Sequence, residues 1–308
     1  MTSTTHAPRV TVTGDVPAWR DAVVRGGGEL TELGPDTEVL VWHGGPATEL
    51  VPVLAAAPNL RWVQLPSAGV EAYVAAGVFE RDVEFTSAKG AFAQPVAEHA
   101  LLLTLAALRH VTRRARATSW GTPAGISLYG LTVGILGGGG ITTELLRLLA
   151  PFGVRTIVAR RSTSPLEGAD VTTDLDGFRA HLGEIDVLVG AIALTDATRG
   201  WVSTEVLAAL PSSAVVVNVA RGGLIDSDAL VAALDAGEIA GAGLDVTDPE
   251  PLPDEHPLWG RDDVLVTPHT ADTPEMVEAM MARRIEHNVR AWHAGTPLTG
   301  GVDRVAGY

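Results

Sequence analysis

The sequence predicts an α/β chain built on two doubly wound parallel sheets. Three observations point there. Short β-branched runs alternate with helical segments along the chain. In the second half those runs are apolar almost throughout, the pattern of strands buried on both faces. And 308 residues are too many for one ordinary core and about right for two domains.

VTVT (Val10–Thr13), EVLVW (Glu38–Trp42), RWVQL (Arg61–Leu65) and VEFTS (Val83–Ser87) read as strands. Between them, PAWRDAVVRGG and ATELVPVLAAAP read as helices, the second ending at Pro58. Gln94 to Ala117 then reads as one long helix. Pro95 suits its first turn and Glu98 the positive end of its dipole. Arg109, Arg113, Arg114 and Arg116 gather at its C-terminal end, where cations are favoured, so they read as dipole complement and solvated face. Trp120 to Gly130 is a polar connection containing Gly and Pro. After it come six strands: Leu131–Leu136, Arg155–Ala159, Asp186–Ala193, Ala214–Ala220, Ile239–Val246 and Asp263–Pro268. Glu275 to Ala294 reads as a last long helix, with the tail Thr296–Tyr308 returning to the first domain.

Composition narrows the function. Hydrophobic residues make up 46% and charged residues 19%, a globular balance. A net charge of -15 repels phosphate backbones, so nucleic acid is not the expected partner. The chain has no cysteine, which removes thiolate nucleophiles and zinc–thiolate sites together. Its nine histidines show no metal-ligand spacing, so no metal is expected. The N-terminal stretch MTSTTHAPRVTVTGD carries no apolar signal core, and Leu101–Leu108 is far short of a membrane span. A cytoplasmic protein without membrane contact is the expectation.

VGILGGGGITTELLRLL joins an apolar strand, a glycine turn and an amphipathic helix, the setting in which a glycine loop cradles a pyrophosphate. Gly137 and Gly139 take the tight-turn and close-approach positions, and the N–H groups of Gly140 and Ile141 face the phosphates. Thr142 stands where the motif has its third glycine, which implies a slightly displaced helix. About 20 residues further on, a fold preferring NAD carries an acid for the ribose hydroxyl. Here Arg160, Arg161 and Ser162 follow Ala159, and no carboxylate lies between Val154 and Leu166. Two guanidiniums and a hydroxyl suit a 2′-phosphate, so NADP(H) is favoured, with NAD(H) as the alternative.

Three further segments lie at strand ends, where open α/β sheets bind ligands: VNVARGGLIDSDALVAALDAGEI, GAGLDVTDPEPLPDEHPLW and LVTPHTADTPE. With PVAEHALLLTLAALR, PSAGVE and the final VDRVAGY, they make the chain resemble the D-isomer-specific 2-hydroxyacid dehydrogenase family over nearly its whole length. The resemblance implies two Rossmann-like domains. Residues 1–93 with 275–308 would form a flavodoxin-like substrate domain, and 94–274 an NAD(P)-binding Rossmann domain. It implies reduction of a small 2-keto acid, glyoxylate or hydroxypyruvate, to the 2-hydroxy acid, by a homodimer. A D-lactate or phosphoglycerate type of dehydrogenase is the alternative, and a catalytically silent dinucleotide sensor is the alternative class. Glu250, where the formate dehydrogenases carry glutamine, speaks against that branch.

The chemistry fits those positions. Arg221, at a strand tip, can hold a carboxylate and polarise a ketone oxygen. His269 can give that oxygen a proton, with Glu250 fixing the ring and stabilising the imidazolium. The resemblance puts Ala220 and Asp245 beside the cofactor, Asp245 at the nicotinamide carboxamide, and the amides of Ala68, Gly69 and Val70 on the substrate carboxylate. Gly222 and Gly223 are expected to keep the approach to the cofactor clear. Singly, each residue has an ordinary alternative: Arg221 an ion-pair partner, Glu250 a loop carboxylate, His269 a core histidine. His256 reads as a loop residue. Trp42–Gly45 reads equally as a strand-end turn or a border of the substrate. Ala193 stands where the family commonly has proline.

Overall fold

Most of the strands form where Val, Ile and Leu run together. The computed structural model describes residues 6–303; residues 1–5 of the N-terminal stretch and 304–308 of the VDRVAGY tail lie outside the described residues. Internal contacts divide the chain into two units: the residues up to Phe92 with those from Thr273 onward, and Ala93–Asp272.

In the first unit, β1 (Arg9–Val12), β2 (Glu29–Leu30), β3 (Val39–Val41), β4 (Trp62–Gln64) and β5 (Glu84–Thr86) pair in parallel in the order β2-β1-β3-β4-β5. That is the flavodoxin-like order. The four expected strands are joined by β2, two exposed residues at the edge, too short to show any alternation. The helices α1 (Pro17–Arg25), α2 (Ala47–Ala56) and α3 (Glu71–Ala75) connect them. The last helix, Pro274–Ala294, packs on α1. There the Val289 side chain fills the space a Cβ would need at Gly26. Beyond it the tail runs back along β5. Ser87 N–H donates to the Gly300 carbonyl at 2.8 Å and Val302 N–H to Phe85 at 3.0 Å. Buried Asn288 ties tail to sheet, donating to Gln64 Oε1 and to the Thr299 carbonyl at 2.9 Å each.

In the second unit the elements are α4 (Ala93–Leu108), α5 (Val111–Ala115), β6 (Thr132–Leu136), α6 (Gly140–Leu149), β7 (Arg155–Ala159), β8 (Val171–Thr173), α7 (Leu175–Arg179), β9 (Val187–Gly190), α8 (Thr204–Ala209), β10 (Val215–Asn218), α9 (Ser227–Ala236), β11 (Gly241–Leu244) and β12 (Val264–Val266). The sheet is parallel, in the order β12-β11-β10-β9-β6-β7-β8. It is the Rossmann order with one strand added at the far edge, and the strand order reverses between β6 and β9. Ligands of such sheets bind at the C-terminal strand ends beside that reversal.

Two expectations are corrected here. The sheet has seven strands rather than six, because Val171–Thr173 pairs with β7 at the opposite edge. And Gln94–Ala117 is not one helix. It ends at Leu108, His110 turns left-handed at φ 50°, and a short second helix follows. The cause is the connection after α5. Ile126 N–H caps the Leu108 carbonyl at 2.9 Å, and Gly125 lies so close to the backbone of Leu108 and Arg109 that a Cβ would come within 2.9 Å. A continuing helix would need that carbonyl for itself. α4 is buried along most of its length and rests on β10 and β11. Gly243 permits this, since its Cβ would sit 2.8 Å from Leu103 Cβ. No helix among the described residues is long and apolar enough to cross a membrane.

Candidate active site

The glycine loop leaves β6 at the reversal point. Gly137 has φ 107°, and a side chain there would strike the Ala191 carbonyl at 2.2 Å, so only glycine fits. Gly138 lies against the aliphatic stem of Arg160, 2.7 Å from where its own Cβ would be. Gly139 is different. A Cβ there would meet no protein atom within 4 Å, so the space above it is left open. It also leads into α6 without a side-chain cap, leaving the N-terminal turn at Gly140 and Ile141 to serve an anion. The residues therefore fit a pyrophosphate. Thr142 does more than replace a glycine: fully buried, it donates its hydroxyl to the Gly137 carbonyl at 2.7 Å and ties helix to loop. Arg160 follows the end of β7, while Arg161 and Ser162 are exposed beyond it. Arg160 thus borders the loop, and Arg161 and Ser162 add a second guanidinium and a hydroxyl directly after it in the chain, a donor set that suits a 2′-phosphate.

β10 delivers Arg221. Asn218, buried at the strand's end, donates to the Arg221 carbonyl at 2.9 Å and accepts from Ala220 N–H at 3.1 Å. The strand tip is thereby fixed, and the half-buried guanidinium donates Nη1 to the Ala220 carbonyl at 2.7 Å. From sequence the glycines that follow are expected to keep an approach clear; in the structure the space a side chain would need there is filled by protein. Gly222 and Gly223 are buried, and a Cβ on Gly222 would lie 1.8 Å from the Thr247 carbonyl. Gly222 lets the loop after β10 pack on the loop after β11, and Gly223 lies against Arg199 and Leu194 of the segment after β9.

β12 delivers His269, whose Nδ1 is 2.5 Å from Glu250 Oε1. With the carboxylate accepting Nδ1–H, Nε2 is the ring atom left to exchange a proton. Both side chains are more than 40% exposed (44% and 41%), so the pair can meet a ligand. The histidine backbone is left-handed, φ 52°, a conformation that side chains other than glycine rarely adopt. Asp245 lies beneath it and is only 2% exposed. Oδ1 accepts from Thr267 Oγ1 at 2.6 Å and Thr270 N–H at 2.9 Å, with His99 Nε2 at 3.3 Å; Oδ2 accepts from Ala271 N–H at 3.1 Å. Its oxygens are thus engaged inside the protein. Burial alone would raise this carboxyl, but the four donors outweigh it and hold it at about 2.

A stability prediction follows from that value. The folded carboxyl lies below its unfolded value of 3.8, so its contribution is complete above about pH 4 and is lost as pH falls through 2. The full contribution is about 2 kcal/mol. Urea unfolding of wild type and Asp245→Asn is expected to differ by that amount or more near pH 7, with the gap closing toward pH 2. A gap that stays constant with pH would refute it.

Asp272 joins these groups. Burial raises its carboxyl, as does the Asp245 charge, while His269 and Arg221 pull it down. Arg221, Asp245 and His269 thus each act on the Asp272 carboxyl. Sequence reasoning passed over Asn218, His99, Thr267 and Asp272. Only Thr267 carried a signal, its place directly before Pro268-His269. The other expected residues are less informative. His256 accepts Leu258 N–H at 3.3 Å, a turn-capping role. Ala193 offers its carbonyl to Thr198 Oγ1 at 2.8 Å. In the first unit, Ala68, Gly69 and Val70 follow β4, where Ser67 Oγ donates to the Gly69 carbonyl at 2.7 Å. His43 packs edge-on against Trp19 there. No group of three or more His, Asp or Glu among the described residues is placed to hold a metal ion.

Several known proteins are similar to this chain. The model of the D-isomer specific 2-hydroxyacid dehydrogenase NAD binding domain matches residues 99–271. An uncharacterized protein from the proB 3′ region of Corynebacterium melassecola is 42% identical over 295 residues, 93% of this chain and 95% of that one. Human glyoxylate reductase/hydroxypyruvate reductase is 31% identical over 254 residues, 79% of this chain and 77% of its own. A D-isomer specific 2-hydroxyacid dehydrogenase of Xanthobacter autotrophicus Py2, solved with NADPH and MES, matches with a TM-score of 0.83 at 30% identity, over 98% of this chain and 100% of that one. An NADPH-dependent glyoxylate/hydroxypyruvate reductase of Sinorhizobium meliloti, solved with NADP and sulfate, matches with a TM-score of 0.81 at 27% identity, over the same shares.

Proposed function

The chain belongs to the D-isomer-specific 2-hydroxyacid dehydrogenase family, oxidoreductases that use NAD(P)H on small 2-keto and 2-hydroxy acids, and we propose that it reduces glyoxylate or hydroxypyruvate with NADP(H). The observation that carries the reading is the His269–Glu250 pair, with Nδ1 engaged and Nε2 left for proton transfer. The human and Sinorhizobium relatives bear on the substrate, and the two solved relatives with NADPH or NADP bear on the cofactor.

Gly137, Gly139, Gly140 and Ile141 would hold the pyrophosphate, with Arg160, Arg161 and Ser162 at the 2′-phosphate and Ala220 toward the nicotinamide. Asp245 belongs on that side as well, as the buried support of the loop that carries His269. When bound, the dinucleotide supplies a hydride to the keto carbon. Arg221 binds the substrate carboxylate and draws charge toward the keto oxygen. His269 gives that oxygen a proton from Nε2, and Glu250 keeps the ring oriented and stabilises it while it is charged. The homodimer and the cytoplasmic setting belong to the same reading. Trp120, 95% exposed, and Tyr129, 66% exposed, give a second copy an apolar surface to cover.

The test is a panel of glyoxylate, hydroxypyruvate, pyruvate and phenylpyruvate, each with NADPH and with NADH, followed by nicotinamide absorbance. Glyoxylate or hydroxypyruvate should be reduced fastest, and faster with NADPH. If NADPH binds yet no 2-keto acid oxidises it, the chain is a dinucleotide-sensing protein instead.

A further inference from the structure

His269 is held in a backbone conformation it would not choose, and the group that holds it is not its catalytic partner. Its N–H donates to two carbonyls, Asp245 at 2.8 Å and Thr267 at 2.9 Å. The next two residues, Thr270 and Ala271, give their N–H groups to the two oxygens of the Asp245 carboxylate, at 2.9 and 3.1 Å. The segment from Thr267 to Ala271 is therefore wound around one buried aspartate, with the left-handed histidine at the middle of the turn. Strain of this kind persists only where the surroundings over-determine it.

What fixes the aspartate is the remaining part of the network. The Thr267 hydroxyl is 2.6 Å from Asp245 Oδ1 and 2.9 Å from His99 Nε2. A carboxylate only accepts, so the hydroxyl gives it its single proton and accepts from His99 Nε2–H. His99 comes from α4, a buried helix laid across the sheet, and so anchors the chain of bonds to the rigid core.

We propose that His99 and Thr267 are positioning residues: through Asp245 they set the backbone of His269 and so the direction of its Nε2. The proposal rests on the reading of His269 as proton donor. It assigns to His99 and Thr267 no contact with substrate.

Thr267→Val tests it, since it removes the hydroxyl at nearly constant volume, with His99→Leu as a second route to the same loss. Two readouts are needed. In protein labelled with 15N-histidine, the His269 Nδ1–H resonance bonded to Glu250 should shift or broaden in both variants and return in Thr267→Ser. Turnover with glyoxylate should fall on the order of 10–100-fold while KM changes little, because misdirection of a proton donor costs rate rather than binding. In a His269→Asn background the same Thr267→Val change should cost less than about twofold, since a residue acting only through His269 has nothing left to position. An unchanged resonance in both variants, or an equal loss of turnover in both backgrounds, overturns the proposal. Wild-type turnover in His269→Asn alone sinks the proton-donor reading instead, and the resonance still decides whether the network positions the ring.

Discussion

Replacement of His269 by asparagine is expected to lower turnover by on the order of 10²–10⁴, the range for loss of a general acid. Asparagine is the right replacement because it tolerates the left-handed backbone that His269 adopts at φ 52°, where alanine would add strain of its own. The side chain is 44% exposed and hydrogen-bonds Glu250 at the surface, so the fold loses little. Two controls make the result interpretable. NADPH affinity, read by fluorescence titration, should stay within about threefold, since the phosphate loop lies on β6 and α6 and not on β12. Glu250→Gln should give a smaller loss than His269→Asn, because the amide oxygen still accepts Nδ1–H but no longer offers a charge to the imidazolium. A His269→Asn enzyme with near-normal turnover would remove His269 from the proton path.

The sheets were legible because both of their faces are buried. Val215–Asn218, Val187–Gly190 and Thr132–Leu136 are apolar runs that no amphipathic helix would carry. Strand β8 escaped the same reading because Val171–Thr173 lies at an edge, half-buried, and two of its three residues are threonine. The break at His110 was hidden for a different reason. It is imposed from outside the helix, by the Gly125–Ile126 segment that takes the Leu108 carbonyl, and nothing in RHVTRRARA announces it. In the candidate site, the residues that present charge to a ligand stood out, while those that support them did not. His99 sits in a run of helix formers and looks like any surface histidine. Gly222 was read for its lack of bulk toward a ligand, whereas the bulk it avoids belongs to the neighbouring loop at Thr247. Spacing along a chain shows which side chains reach strand ends. It does not show which carbonyl or hydroxyl waits for them there.

Arg221 is where a loss of the same order is expected. It is assigned two charge-assisted interactions, with the substrate carboxylate and with the keto oxygen, each worth roughly 1.5–3 kcal/mol. Arg221→Met removes both, so kcat/KM should fall by about 3–6 kcal/mol, or roughly 10²–10⁴. The backbone around it should survive, since Asn218 binds the carbonyl of residue 221 and not its side chain. Arg221→Lys separates the two roles. An ammonium keeps the charge that attracts the carboxylate but lacks the planar fork that reaches carboxylate and ketone together. Its KM should rise modestly while kcat falls much further. If instead the lysine variant keeps its kcat and loses only affinity, Arg221 merely anchors the substrate, and polarisation of the ketone falls to His269 alone.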